Sequence, residues 1–114
     1  MKPIIIRNSK LPNKLSWLID IVAITLWPFI ICRDEGNPTM IRHESIHIAQ
    51  QTELLVLPFY LLYLFDFIVG LVIWRSAKLA YWNIRFEREA YDYQSDENYL
   101  INRKPYTWLK YDLI

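Results

Sequence analysis

Two glycines, two histidines and a single cysteine in 114 residues exclude several kinds of protein at once. One cysteine cannot build an internal disulfide framework, and Cys32 reads as a small buried hydrophobe. A lipoprotein anchor would need small residues just before that cysteine, where Phe29, Ile30 and Ile31 stand. Net charge is also small: a value of +1 offers no polybasic surface, so no nucleic-acid partner is expected. The apolar stretch 15–31 is interrupted by Asp20 and Pro28, and no small-residue cleavage site follows, so a secretory signal is not expected. Repeats and low-complexity linkers are lacking too, and the length suits one domain over residues 1–114.

Apolar residues are what the chain has in excess. They make up 54% of it, and aromatics 16%. An ordinary soluble domain carries about 45–50% apolar residues even with glycine counted. The surplus needs a core, a partner or a lipid surface to cover it.

Ile4-Ile5-Ile6 suits a short strand, and residues 21–33, β-branched and aromatic with Pro28 in the middle, read as a strand or a bent pair of strands. A membrane helix is the rival reading of that second stretch. Asp34-Glu35-Gly36 marks a turn. Asn37-Pro38 then starts a helix, with Asn as N-cap and Pro at the first helical position, and the helix runs to about residue 56. Pro58 would kink or end it. Residues 54–74 contain one charge, Asp66, and are long enough to span a bilayer. Ser76 can cap a further helix to about residue 93, and residues 95–114, with Pro105 as a breaker, wrap the surface.

The chain's only two histidines, His43 and His47, stand four apart on the capped helix, with Glu44 directly after the first. At about 100° per residue both imidazoles leave one helix face and can share a metal. Glu44 borders that face and can reach a metal-bound water as general base. Zinc needs a third protein ligand and keeps a fourth position open for chemistry. With no third histidine, the candidates are carboxylates in Phe86-Glu87-Arg88-Glu89-Ala90-Tyr91. On a helical wheel Glu87 lies on the apolar arc, where an unpaired carboxylate is costly and a metal resolves the cost. Glu89 falls at the edge of the charged arc with Lys78 and Arg85, as a surface pair partner, and is the weaker candidate. Gln50, one turn beyond His47, can support a ligand from behind; for it and for Glu53 the plain alternative is an ordinary helix-surface residue.

The pattern His43-Glu44-x-x-His47 with a downstream glutamate resembles the glutamate branch of the zincin metallopeptidases. Glu87-x-x-Ala90 is similar to the E-x-x-A-D element that carries the third ligand there, with Tyr91 in place of the Asp. The longer pattern, His43 to Gln50 with Glu53, Pro58-Phe59-Tyr60, Ala80-Tyr81 and Phe86-Glu87-x-Glu89-Ala90-Tyr91, resembles a group of small bacterial proteins over residues 40–110. The resemblance implies Zn2+ held by His43, His47 and Glu87, bound water acidified toward a pKa of ~7, and Glu44 moving its proton to the leaving amine. It also implies a tyrosine that steadies the oxyanion, for which Tyr91 and Tyr81 are candidates.

The metal and the membrane constrain each other. If residues 54–74 crossed a bilayer once, the histidines and Glu87 would stand on opposite sides of a core about 30 Å thick. Two arrangements escape: breaks at Pro58 and at Arg75-Ser76, giving three packed helices, or a turn near residues 66–70, giving one hairpin whose tip dips into a leaflet. Asp66 then reads as a turn or helix-end residue, with a buried partner for an arginine as the alternative. Five tryptophans suit a membrane interface or a core. The basic residues Arg7, Lys10 and Lys14 favour the cytoplasmic side.

The expectation is a mainly α (α+β) protein, a helical hairpin or three-helix core with a short N-terminal β element. Its expected function is that of a zinc-dependent, membrane-associated metallopeptidase acting on a peptide or protein. The rivals are a non-catalytic zinc-binding structural protein and a small integral membrane protein without metal.

Overall fold

The computed structural model describes residues 3–16 and 23–113. It is mainly α with a small sheet, as expected. Strand β1 (Ile4–Ile6) and a short helix α1 (Leu11–Leu15) precede β2 (Ala23–Leu26) and β3 (Phe29–Cys32). The strand order is β1-β3-β2, with β3 parallel to β1 and antiparallel to β2. The expected bent pair of strands is thus a hairpin folded at Trp27-Pro28, where the peptide bond is cis. Ile21 and Val22, at the start of that predicted segment, lie outside the described residues, as do Trp17 and Asp20.

Helix α2 (Pro38–Leu54) begins where the sequence places it: the Asn37 side chain accepts from the Met40 N–H at 2.8 Å, and Pro38 opens the first turn. One side of α2 packs on β3 through Ile48 against Ile30 and Cys32. Leu55 and Val56, both with positive φ, end it. Pro58 then sits in the first turn of α3 (Leu57–Trp74), where its missing N–H costs nothing, so it starts a helix rather than kinking one. Arg75, left-handed, ends α3, and the Ser76 hydroxyl caps α4 (Ala77–Trp82) by accepting from the Leu79 N–H. The breaks fall where the three-helix arrangement needs them. Helix α3 continues through residues 66–70, so the long hairpin with a turn there does not form.

Two expectations need correction. The helix predicted from Ser76 to about residue 93 is two helices, α4 and α5 (Arg85–Tyr93), separated by an extended Ile84. Asp66 is the reason. Its carboxylate, on α3, accepts the Arg85 backbone N–H at 3.1 Å and the Arg85 guanidinium through two contacts of 2.9 Å. It therefore caps α5 from outside, at the start of the helix dipole, and is a buried arginine partner rather than a turn residue.

The C-terminal segment, expected to wrap the surface, also contributes to the core. Helix α6 (Tyr99–Asn102) buries Tyr99 against Ile46 and Ala90, and a 3-10 turn (Thr107–Lys110) buries Trp108 against Phe59, Ile84 and Phe86. These aromatics bring α2, α3 and α5 together around one side of His47.

Candidate metal centre

Among the described residues, His43, His47 and Glu87 form one cluster whose ligand atoms lie within 4.8 Å of one another. The two histidines leave the same face of α2, as their spacing requires, with ring centroids 4.9 Å apart. Glu87 comes from the first turn of α5 and points at both. Its Oε1 lies 2.9 Å from His43 Nε2 and 3.0 Å from His47 Nε2. All three residues are buried.

The other ring nitrogens determine the chemistry. His47 Nδ1 lies 2.7 Å from Gln50 Oε1, and His43 Nδ1 lies 2.9 Å from Gln94 Oε1. The Gln50 amide can face only one way, because its Nε2 already donates to the Phe86 carbonyl at 3.1 Å and to Glu89 Oε1 at 3.0 Å. Its oxygen must therefore accept the Nδ1–H of His47. Each neutral imidazole held this way turns a lone pair on Nε2 toward the inside. Two such lone pairs then converge on a carboxylate oxygen, which is also an acceptor. A cation satisfies all three; without one, protons must.

The donor set fits zinc. His2Glu is a three-ligand set of the kind catalytic zinc sites use, with imidazole nitrogens and a carboxylate oxygen about 2.0–2.2 Å from the ion. In a tetrahedral site, ligand atoms stand roughly 3.3 Å apart. Glu87 Oε1 lies slightly nearer than that to each histidine nitrogen, at 2.9 and 3.0 Å, and the whole set lies within 4.8 Å. Both histidines also have the outer hydrogen-bond partner that metal-bound imidazoles use to fix their tautomer.

The electrostatics agree. Burial alone would lower the His47 pKa, but the Glu87 carboxylate outweighs it and raises it to about 9. Burial would raise Glu87, yet the two imidazoles hold it well below the usual carboxylate range. The Glu87 carboxylate thus stays charged beside the two imidazoles.

Glu44 is buried beside this cluster. Thr25, from β2, donates its hydroxyl to Glu44 Oε2, a bond from the sheet to α2. Burial raises the Glu44 pKa against the lowering pull of His47 and His43. Tyr63 of α3 donates to Glu87 Oε2 at 2.6 Å and fixes the carboxylate from its far side. Burial, and then the Glu87 charge, push the Tyr63 hydroxyl well above its ordinary pKa, so it stays a donor.

The remaining predicted residues fall as follows. Gln50 stands behind His47. Tyr91 packs its ring edge-on to His43 at 4.3 Å, while its hydroxyl pairs with that of Tyr81 at 2.8 Å. The tyrosine whose hydroxyl reaches Glu87 is Tyr63, which sequence reasoning missed. Glu89 is not a surface residue paired with Arg85. It is fully buried, and it pairs with Arg103 and Tyr99 and accepts from Gln50. The break at Ile84 shifts the wheel, so the Lys78 arc no longer tells where Glu89 points. Glu53 is likewise more than a helix-surface group, because Arg103 holds both its oxygens. Thr25 and Gln94 were also missed. For Gln94 a signal existed, since it lies seven residues after Glu87 and so returns to the same helix face.

No protein-family profile matches this chain, and no curated protein or solved structure is detectably similar to it.

Proposed function

We propose that this chain is a zinc-dependent hydrolase, with the peptide bond as its scissile link. One observation carries the metal: two histidines whose Nδ1 atoms lie against amide oxygens bring both Nε2 atoms within 3.0 Å of the same oxygen of the buried Glu87. The hydrolase reading is supported by ligand number, since structural zinc sites are closed by four protein ligands whereas this set supplies three. Zinc would supply a Lewis acid and an acidified water. The other tasks belong to the chain. Glu44, steadied by Thr25 and raised in pKa by burial, is suited to take a proton and hand it on. Tyr63 holds Glu87 in place. The choice of a peptide bond rests on the resemblance of His43-Glu44-x-x-His47 and Glu87 to the glutamate zincins.

A second reading, structural zinc without turnover, is favoured by one fact: His43, Glu44, His47 and Glu87 are each less than a tenth exposed. The same experiment separates the two. Elemental analysis of wild type should find about one zinc per chain, and His43→Ala and Glu87→Ala should lose it. Glu44→Gln should keep its zinc and lose cleavage of a pool of quenched-fluorescent peptides. A zinc-free wild type after metal addition ends the metal reading. A zinc-loaded wild type as inactive as Glu44→Gln leaves the structural one.

We also infer contact with a membrane surface. Its support is the outward side of α3, where Leu57, Leu61, Leu64, Phe65, Ile68 and Val72 are exposed and the one charge, Asp66, is turned inward.

A further inference from the structure

We propose that Arg103 is a positioning residue of the metal centre. Acting through Glu89 and Gln50, it holds the His47 ring with Nε2 toward Glu87, so that the C-terminal segment sets the affinity of the site for zinc. The inference rests on the zinc reading above and extends it to residues remote from the ion.

The chain of contacts is continuous and buried. Arg103 Nε donates to Glu89 Oε2 at 2.6 Å and Nη2 to Glu89 Oε1 at 3.1 Å. The same guanidinium donates through Nη1 to Glu53 Oε2 at 2.9 Å and through Nη2 to Glu53 Oε1 at 3.0 Å. One cation therefore bridges two carboxylates that would otherwise repel. Lysine, a point charge, lacks the planar fork needed to do this. Tyr99 adds a bond of 2.7 Å to Glu89 Oε2. Glu89 is thus fixed with Oε1 available to Gln50 Nε2.

Gln50 passes this orientation on. With both amide hydrogens directed to Glu89 and the Phe86 carbonyl, its oxygen is left for His47 Nδ1. If Arg103 is lost, Glu89 becomes a buried carboxylate without its cation and turns toward water. Gln50 is then free to rotate and donate to Nδ1. The ring hydrogen of His47 moves to Nε2, the atom that faces Glu87 and must be bare to hold zinc. The imidazole remains in place, but in the tautomer that cannot bind.

A merely structural ion pair would behave differently, and the protein contains a suitable control. Asp66–Arg85 is also buried and also touches α5, but it lies outside the Gln50–His47 chain. The test measures zinc affinity by chelator competition for wild type, Arg103→Gln and Arg85→Gln. It adds the visible absorption of each protein loaded with Co2+ and the thermal midpoint of each metal-free form. Arg103→Gln should weaken zinc by about 10–100-fold, the usual cost of losing a partner behind a metal-bound histidine, and alter the cobalt bands. Arg85→Gln should lower the midpoint and leave affinity and bands unchanged. A folded Arg103→Gln with wild-type affinity and cobalt bands overturns the proposal, as does an equal loss of affinity in Arg85→Gln. If Arg103→Gln does not fold, Gln50→Met removes the link and leaves the Arg103 contacts to Glu89 and Glu53 in place, and unchanged affinity there overturns the proposal. A wild type that takes up neither zinc nor cobalt defeats the metal reading itself, an outcome separate from any behaviour of the variants.

Discussion

Gln50 determines which nitrogen His47 presents, and with it the pH behaviour of the site. In the metal-free protein His47 is raised from 6.5 to about 9, because Glu87 outweighs the effect of burial. A raised histidine stabilises the fold fully below its unfolded value and stops doing so as pH passes the folded one. The metal-free protein should therefore lose this contribution between about pH 6.5 and 9. Zinc must displace the same proton, so its affinity should rise over the same interval. Calorimetric titration in two buffers of different ionisation enthalpy should detect a proton released on binding near neutral pH. Affinity that is flat across the window would contradict the assignment of His47. Tyr63→Phe tests the carboxylate side: with Glu87 Oε2 deprived of its donor, zinc should weaken by about tenfold in a folded protein, read by the same chelator competition. At this scale the clustering of His43, His47 and Glu87 was legible from spacing and from the cost of burying a carboxylate. Thr25 and Tyr63 were not, because their roles come from elements that only the tertiary fold brings beside α2.

Helix boundaries divide in the same way. Asn37-Pro38 and Ser76 carry their caps in the local sequence, and both helices start there. The break at Ile84 is invisible locally, since the group that caps α5 is Asp66, on another helix. That one missed cap displaced Glu89 from the core to the surface in the sequence reading and gave Arg85 the wrong partner. Asp66→Ala leaves the Arg85 charge part-buried and α5 uncapped. It should cost about 3–5 kcal/mol in urea denaturation. Gly70 tests the packing of α3 on α4. A Cβ added there would stand 2.7 Å from Ala80 Cα and 2.8 Å from Ala80 Cβ, a backbone approach that cannot relax cheaply. Gly70→Ala gains helix propensity of just under ~1 kcal/mol, whereas overpacking costs about 1–3 kcal/mol. The net effect should be a lower denaturation midpoint; a raised one would mean that the two helices part easily.

Composition revealed the apolar surplus of the whole molecule but not its destination. Part of it fills the core around Trp108, Tyr99 and Phe86, where the C-terminal segment closes over α5. Much of the rest lies along α3, whose inward line Phe59, Tyr63, Asp66 and Gly70 touches the protein. Its outward line has Leu61 60%, Ile68 50% and Val72 71% exposed. At 1.5 Å per residue the helix is about 27 Å long, close to a bilayer core. Yet α2 before it and α5 after it meet beside it at the His43–His47–Glu87 cluster, so α3 cannot cross a membrane with its neighbours on opposite sides. Lateral contact satisfies both constraints, with the apolar line in the interfacial region and the metal-bearing side facing away from it. Wild type should therefore float with phosphatidylcholine–phosphatidylglycerol vesicles. Leu61→Glu with Ile68→Glu should reduce that partitioning roughly tenfold or more, since each buried apolar side chain is worth about 1.5–3 kcal/mol. Zinc content should not change, because both side chains point away from the site. A wild type that stays with the aqueous fraction while sedimenting as a dimer, broken by the same two substitutions, would assign the outward line of α3 to a second copy of the chain instead.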